Sequence, residues 1–102
     1  MSLSISTSVQ LGGAVLITVR GEVDAPVVHR LSGAINAAIA EHRPTQIRLD
    51  LGLVTYLDST GLGALLAGRK RANDEGVRLS VTDAAPAIRR VLRVGHLDLE
   101  AG

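Results

Sequence analysis

The sequence contains no cysteine, which excludes both a disulfide framework and a thiolate metal site. Aromatic residues are almost as scarce: Tyr56 is the only one, which argues against a ligand of stacked nucleic acid bases and predicts an aliphatic core. No apolar run is long enough to cross a bilayer, and residues 1–8 alternate polar and apolar side chains instead of forming a signal peptide. We therefore expect a soluble, cytoplasmic protein that does not bind membranes.

The sequence also has no large excess of positive or negative charge. Eleven basic and ten acidic residues give a formal net charge of +1, so no concentrated basic face is available for nucleic acid. The local basic runs at residues 69–71 and 89–93 are typical of solvated helix faces. The 102 residues suffice for one domain with one core, and we assign residues 1–102 to that domain. We expect no direct binding of nucleic acid.

Alternating side chains at the start of the chain predict a β-hairpin. Apolar residues occupy odd positions in residues 3–11 and again in residues 15–19, and Gly12-Gly13 separates the two runs. A helical pattern follows, with Asp24 as its expected cap, Pro26 in its first turn and its end before Pro44. The remaining predicted elements are a strand at 46–51, a helix from the Asp58 region to Gly76, a strand at 77–82, a helix from Pro86 to Gly95, and a short edge strand at 96–100.

This alternation of strands and helices predicts an α/β fold with right-handed crossovers. Each strand keeps a polar face, so we expect the helices to lie mainly on one side of a mostly parallel sheet of four to five strands in consecutive order, begun by the antiparallel hairpin. The carboxyl ends of parallel strands share one edge, where functional residues gather. Glu22 and Asp24 follow the second strand and Asp58 follows the third, so these carboxylates should meet beside Ser59.

The most informative stretch is the predicted strand-to-helix corner within residues 53–66. Asp58, Ser59 and Thr60 could each cap the helix, yet capping needs only one of them. Gly61 and Gly63 cost about 1 kcal/mol each in a helix relative to alanine. We expect the missing side chains to let another backbone, either the sheet beneath or a partner protein, approach the hydroxyl groups.

The run Leu57-Asp58-Ser59-Thr60-Gly61-Leu62-Gly63, preceded by residues 49–51, resembles the phosphorylation-site signature of bacterial anti-sigma factor antagonists, which are single STAS domains. Residues 21–24 are similar to the second landmark of this family. The resemblance implies the STAS fold and a binding module, not an enzyme, without cofactor or metal. It also implies Ser59 as the phosphoacceptor, with Thr60 as a minor alternative, and a partner-binding surface of Glu22, Asp24, Asp58, Thr60, Gly61, Leu62 and Gly63.

The same resemblance implies the partners. The anti-sigma factor is itself a serine kinase that uses ATP and magnesium, the unmodified antagonist binds it and frees the sigma factor, and a PP2C-type phosphatase resets the system. Physical reasoning agrees, because phosphate at a helix start leaves the fold intact, whereas burial of an unpaired dianion beneath a partner costs several kcal/mol. We expect Leu62, Leu65 or Leu66 to offer that partner apolar surface.

Three other chemistries fit less well. A hydrolase elbow needs glycine on both sides of the serine, and Leu57 stands where the first is required; His29, His42 and His96 are then surface residues and not bases. The sequence lacks the third glycine of a dinucleotide-binding motif, and it contains no Gly-Lys-Ser or Gly-Lys-Thr of a phosphate-binding loop. In a receiver domain, Asp58 would accept the phosphate, and Glu22 and Asp24 would hold magnesium. Such a domain also needs a lysine after its last strand, and the only lysine in this sequence is Lys70.

A further alternative keeps the fold and changes the role: a partner-binding STAS subunit of a lipid transporter, or a scaffold piece of a stress-signalling assembly. A neighbouring gene for a small ATP-binding kinase or a sigma factor would favour the antagonist, and neighbouring transporter genes would favour this alternative.

Overall fold

A computed structural model describes residues 3–97 of the chain. Within them the predicted order of hairpin, helix, strand, helix, strand and helix is confirmed. The elements are β1 (Leu3–Val9), a short 3-10 turn (Leu11–Gly13), β2 (Ala14–Val23), α1 (Val28–His42), β3 (Gln46–Leu57), α2 (Ser59–Asp74), β4 (Arg78–Ala84) and α3 (Pro86–Val94).

The four strands form one mixed sheet in the order β1-β2-β3-β4. β1 and β2 pair antiparallel, as predicted, while β2 with β3 and β3 with β4 pair parallel. Gly12 and Gly13, with φ of 80° and 83°, make the turn of the hairpin in a backbone conformation that favours glycine. The strand order is therefore consecutive, as the sequence indicated.

The helices pack on one face of this sheet. Apolar residues of the strands, such as Ile17 and Leu49, are buried in a single aliphatic core together with side chains from all three helices. The helix residues in that core include Leu31, Ile35, Ala38, Ile39, Leu65, Ala72, Ile88 and Leu92. Alternation places the polar residues of the strands on the other face, which confirms the predicted one-sided arrangement.

β3 ends directly before Asp58, as predicted, and its length determines where the functional corner lies. It continues to Leu57, whereas its pairing with β4 ends at Leu51 opposite Ala84. Beyond that point β3 pairs only with β2, up to Leu57 opposite Val23. β2 and β3 consequently project past β4 and end side by side.

The start of α1 differs from the prediction. The helix begins at Val28 with Val27 as its N-cap residue, and no side chain caps it. Asp24 instead accepts a backbone hydrogen bond from the Val27 N–H at 3.1 Å, so residues 24–27 form a turn before the helix. Asp24 is therefore too far upstream to cap α1, and Pro26 lies in this turn and not in the first helical turn.

The predicted ends of the helices are confirmed. After α1, Arg43 adopts a left-handed conformation and Pro44 follows, while α2 stops before Gly76 at φ 75° and α3 stops at Gly95. The expected edge strand at 96–100 falls largely outside the described residues; His96 lies in the turn after α3. Among residues 3–97, no helix has the length and apolar character needed to cross a membrane.

Candidate functional site: the corner between β3 and α2

Asp58 makes the corner between β3 and α2. Its backbone is extended, with φ −97° and ψ −175°, and its carboxylate accepts a hydrogen bond from the Gly61 N–H at 2.9 Å. Its carbonyl oxygen accepts the first helical hydrogen bond, from Leu62 N–H at 2.9 Å. Of the three candidate caps in the sequence, the structure therefore selects Asp58.

Ser59 and Thr60 form the first two residues of α2, and both are exposed. Because Asp58 satisfies the helix start, neither hydroxyl group is needed as a cap. No hydrogen bond within residues 3–97 engages the Ser59 or Thr60 hydroxyl group. Ser59 is thus open to a second protein, and modification of its oxygen breaks no contact that stabilises the fold.

Gly61 and Gly63 serve different purposes. A Cβ atom on Gly61 would lie 2.5 Å from Leu57 Cδ1, 2.9 Å from Val23 Cγ1 and 3.0 Å from the Val23 carbonyl oxygen. Gly61 is therefore required where α2 starts directly above the ends of β2 and β3. A Cβ on Gly63 would meet nothing within 4 Å, and Gly63 is exposed. Only Gly63 remains free to admit the backbone of a partner.

Of the three leucines expected to offer apolar surface near Ser59, the structure excludes one. Leu65 is fully buried in the core, so the expectation that it offers surface is wrong. Leu62 and Leu66 are half-buried, and Gly95 beyond α3 lies against them. Leu53 and Tyr56 are more exposed, with exposed fractions of 54% and 50%, and lie on the part of β3 that β4 does not cover.

The structure brings the acidic residues to the same corner. Glu22 lies within β2, not after it, and is paired in register with Tyr56 of β3. Val23 is opposite Leu57, and the Asp58 N–H lies 3.5 Å from the Val23 carbonyl oxygen, so Asp24 and Asp58 leave adjacent strand ends. Glu22, Asp24 and Asp58 are all half-buried. Asp24 and Asp58 therefore stand at neighbouring strand ends beside the start of α2, and Glu22 lies two residues before Asp24 on β2.

Among the described residues, none of the groups that the competing chemistries need is placed at the corner. His29 and His42 are exposed on α1 and His96 is exposed after α3, and none makes a hydrogen bond to Ser59. Lys70 lies on α2, where it forms an exposed ion pair with Asp74 at 3.3 Å. Within the described part of the chain, no group of three or more His, Cys, Asp or Glu residues is placed to hold a metal ion.

The cap can be separated from the charge of Asp58 by mutation. Asp58→Ala leaves the Gly61 N–H without its acceptor, so we expect a loss of about 1 kcal/mol in the free energy of unfolding. Asp58→Asn retains an acceptor oxygen without the charge and should remain close to the wild type. Urea unfolding of the two variants measures the difference; equal losses would show that capping is not what Asp58 contributes to stability.

Comparison with known proteins identifies the family. Residues 7–99 match the family model described as "Mlab, STAS domain". The chain is also 28% identical over 85 residues to an anti-sigma F factor antagonist of Paenibacillus polymyxa, which covers 83% of this chain and 73% of that protein. The chain therefore belongs to the STAS domain family, as the motif at residues 57–63 indicated.

Solved structures agree with this assignment. The crystal structure of an anti-sigma factor antagonist from Mycobacterium paratuberculosis superposes with a TM-score of 0.84 at 27% identity, covering 99% of this chain and 87% of that one. The unphosphorylated form of the anti-sigma factor antagonist SpoIIAA has a TM-score of 0.77 at 21% identity, covering 97% and 89%. A structure of the Bacillus cell fate determinant SpoIIAA in its phosphorylated form gives the same TM-score and identity. At that identity the likeness to SpoIIAA concerns the fold.

Proposed function

We propose that this protein is an anti-sigma factor antagonist controlled by phosphorylation of Ser59. In its unmodified form it binds a serine kinase anti-sigma factor in the cytoplasm and so frees a sigma factor. The kinase, with ATP and magnesium, phosphorylates Ser59 and ends the interaction, and a PP2C-type phosphatase restores binding. The protein is a binding module and a kinase substrate, not an enzyme, and contacts neither nucleic acid nor membrane directly.

One observation supports this proposal most directly: the exposed hydroxyl group of Ser59 at the start of α2. A kinase must reach the oxygen, and a regulatory phosphate must not unfold its carrier. Both conditions favour an exposed first helical residue whose neighbour Asp58 already caps the helix. Thr60 is exposed beside it and is the minor acceptor in this proposal.

The charges at the corner indicate how the modification acts. Phosphate adds about −1.5 to −2 charges at pH 7. The N-terminus of α2 favours that charge by about 1 kcal/mol at most, while the surrounding carboxylates oppose it. A partner seated over the corner would have to bury the dianion among Glu22, Asp24 and Asp58, which costs several kcal/mol. Phosphorylation therefore acts on the complex and spares the domain.

The docking surface in this proposal surrounds Ser59. Asp58 and Gly61 are fixed by the fold, whereas Thr60 and Gly63 are exposed on the first turns of α2. Glu22, Asp24 and the half-buried Leu62 complete the surface inferred from the sequence. Tyr56 and Leu53 add exposed apolar area beside it, and a half-exposed aromatic residue is a typical anchor at the centre of an interface.

Phosphopeptide mapping tests the assignment of Ser59. The protein is incubated with ATP, magnesium and candidate kinase anti-sigma factors, above all any encoded beside its own gene, and the phosphate is located by mass spectrometry. We expect one phosphate on Ser59 and only a minor fraction on Thr60. The Ser59→Ala variant is the control and should lose most of the label while keeping the wild-type melting temperature.

Two outcomes would count against the proposal. A phosphate found only outside residues 59–60 would reject Ser59 as the acceptor. Binding of an anti-sigma factor without any phosphorylation would reject the switch. Capture of a transporter subunit or of a stress-signalling scaffold in place of an anti-sigma factor would favour the alternative role for this STAS domain.

A further inference from the structure

As far as residues 3–97 are concerned, β1 leaves one side of the sheet open. It is the first strand in the order β1-β2-β3-β4, and in residues 3–97 its only neighbour in the sheet is β2. Every second residue of such a strand directs its N–H and C=O away from the neighbour, which makes the edge a template for another strand. Arg30 of α1 donates to the Leu3 carbonyl oxygen, 2.6 Å away, and so covers the beginning of β1 only.

The usual protection of an edge strand is missing from β1. Natural edges carry lysine, other charges, proline or a bulge that prevents pairing with a second chain. The first charged residue of the whole sequence is Arg20, and β1 pairs with β2 in a regular register from Leu3 to Val9 without proline. In the part of the chain that the structure describes, the opposite edge strand is β4, which carries Arg78 and Asp83. β1 is therefore the unprotected edge.

We propose that β1 pairs antiparallel with β1 of a second copy of this chain, about a two-fold axis through Thr7. The two four-stranded sheets then form one continuous sheet. In this register Thr7 faces Thr7 of the second copy, Ile5 faces Val9, and Ser6 faces Ser8.

The side chains of β1 favour this register. In the hairpin, Ile5 lies opposite Val19 and Val9 lies opposite Val15, so both point to the face that the helices cover. Val9 is nevertheless 62% exposed, and Leu11 just beyond it is fully exposed. The proposed register places Ile5 against Val9 on that face and pairs serine with serine on the other, and such matched pairs stabilise antiparallel strands.

A second copy fits this edge better than a different protein. A strand that pairs with itself around a two-fold axis needs no complementary charge, and none is present up to Arg20. The contact is smaller than a standard interface of about 1,600 Å², so the dimer should depend on concentration. β2 separates β1 from β3, so the dimer leaves the Ser59 corner free and is independent of the proposed function.

Sedimentation equilibrium of the whole chain tests the dimer. The wild type should show a monomer–dimer equilibrium. Thr7→Lys places two like charges opposite each other on the axis and should raise the dissociation constant at least about tenfold. Asn73→Lys, which adds the same charge on the exposed end of α2, is the matched control and should dimerise like the wild type. Thermal unfolding establishes that both variants are folded.

Single cysteines test the register, because the chain has none of its own. In Thr7→Cys the two sulfur atoms face each other across the axis, within disulfide reach, so mild oxidation should give a cross-linked dimer. In Ser8→Cys the two positions are diagonal neighbours about 7–8 Å apart, at the limit of a disulfide, and cross-linking should be much slower.

Each of these experiments has an outcome that would contradict the proposed dimer. A wild type that is monomeric up to millimolar concentration overturns the proposal. A dimer that Thr7→Lys leaves intact places the interface elsewhere and overturns it too. Equal cross-linking of the two cysteine variants would mean random collision. Phosphorylation of Ser59 should proceed equally in wild type and Thr7→Lys, so failure of the dimer and failure of the phosphorylation switch can be told apart.

Discussion

Ser59→Ala and Ser59→Glu should differ at least about tenfold in their affinity for the cognate kinase anti-sigma factor. Alanine removes the phosphoacceptor and keeps the neutral, exposed helix start, so this variant should bind constitutively, even in the presence of ATP. Glutamate brings a negative charge to a corner that already holds Glu22, Asp24 and Asp58. Burial of that charge beneath the partner is not compensated, which weakens the complex. The phosphorylated protein, with about twice the charge, should bind more weakly still.

Calorimetry with the three forms measures this difference. Asn73→Glu adds the same charge at the other end of α2 and should bind as tightly as the wild type. All variants should unfold within a few degrees of each other, because the Ser59 hydroxyl group makes no hydrogen bond to any other residue of the described range 3–97. Equal affinities for Ser59→Ala and Ser59→Glu would reject the switch. If a variant that binds more weakly is also less stable, its loss of affinity would reflect damage to the fold and not the added charge.

The second large effect concerns the two glycines of α2. Gly61→Ala introduces a methyl group 3.0 Å from the Val23 carbonyl oxygen and within 2.9 Å of two side chains. A backbone oxygen cannot turn away as a rotamer can, so overpacking should outweigh the gain in helix propensity. We expect a net loss of about 1–2 kcal/mol in the free energy of unfolding. Gly63→Ala meets no atom within 4 Å and should gain up to about 1 kcal/mol.

Urea unfolding and thermal unfolding of this pair provide an internal control, because the same substitution is made two residues apart in one helix. The two variants should shift the melting temperature in opposite directions, by about 4–8 °C per kcal/mol. A shift of equal sign and size would show that the contacts around Gly61 do not decide its identity. If Gly63→Ala is stabilised and yet binds the anti-sigma factor more weakly, Gly63 belongs to the docking surface.

The sequence by itself determined the order of the elements and the places where most of them end. Gly12-Gly13, Pro44, Gly76 and Pro86 act through backbone geometry that needs no distant partner, so local chemistry sufficed. The period-two patterns also indicated the one-sided packing of the helices, because side chains alternate across a strand whatever lies beside it. The strand-to-helix corner at Asp58-Ser59 was predictable for the same local reason.

Only the tertiary structure decided what each residue of that corner does. Asp24 does not cap α1 because the chain turns before the helix begins. Tyr56 is exposed on the part of β3 that projects beyond β4, and the length of one strand relative to its neighbour cannot be read from either strand alone. Leu65 is buried because its side of α2 packs into the core. Gly61 is obligatory and Gly63 is free because only Gly61 faces Val23 of β2, far away in the sequence. These distinctions depend on contacts between segments that are distant in the sequence, and the local sequence pattern does not reveal those contacts.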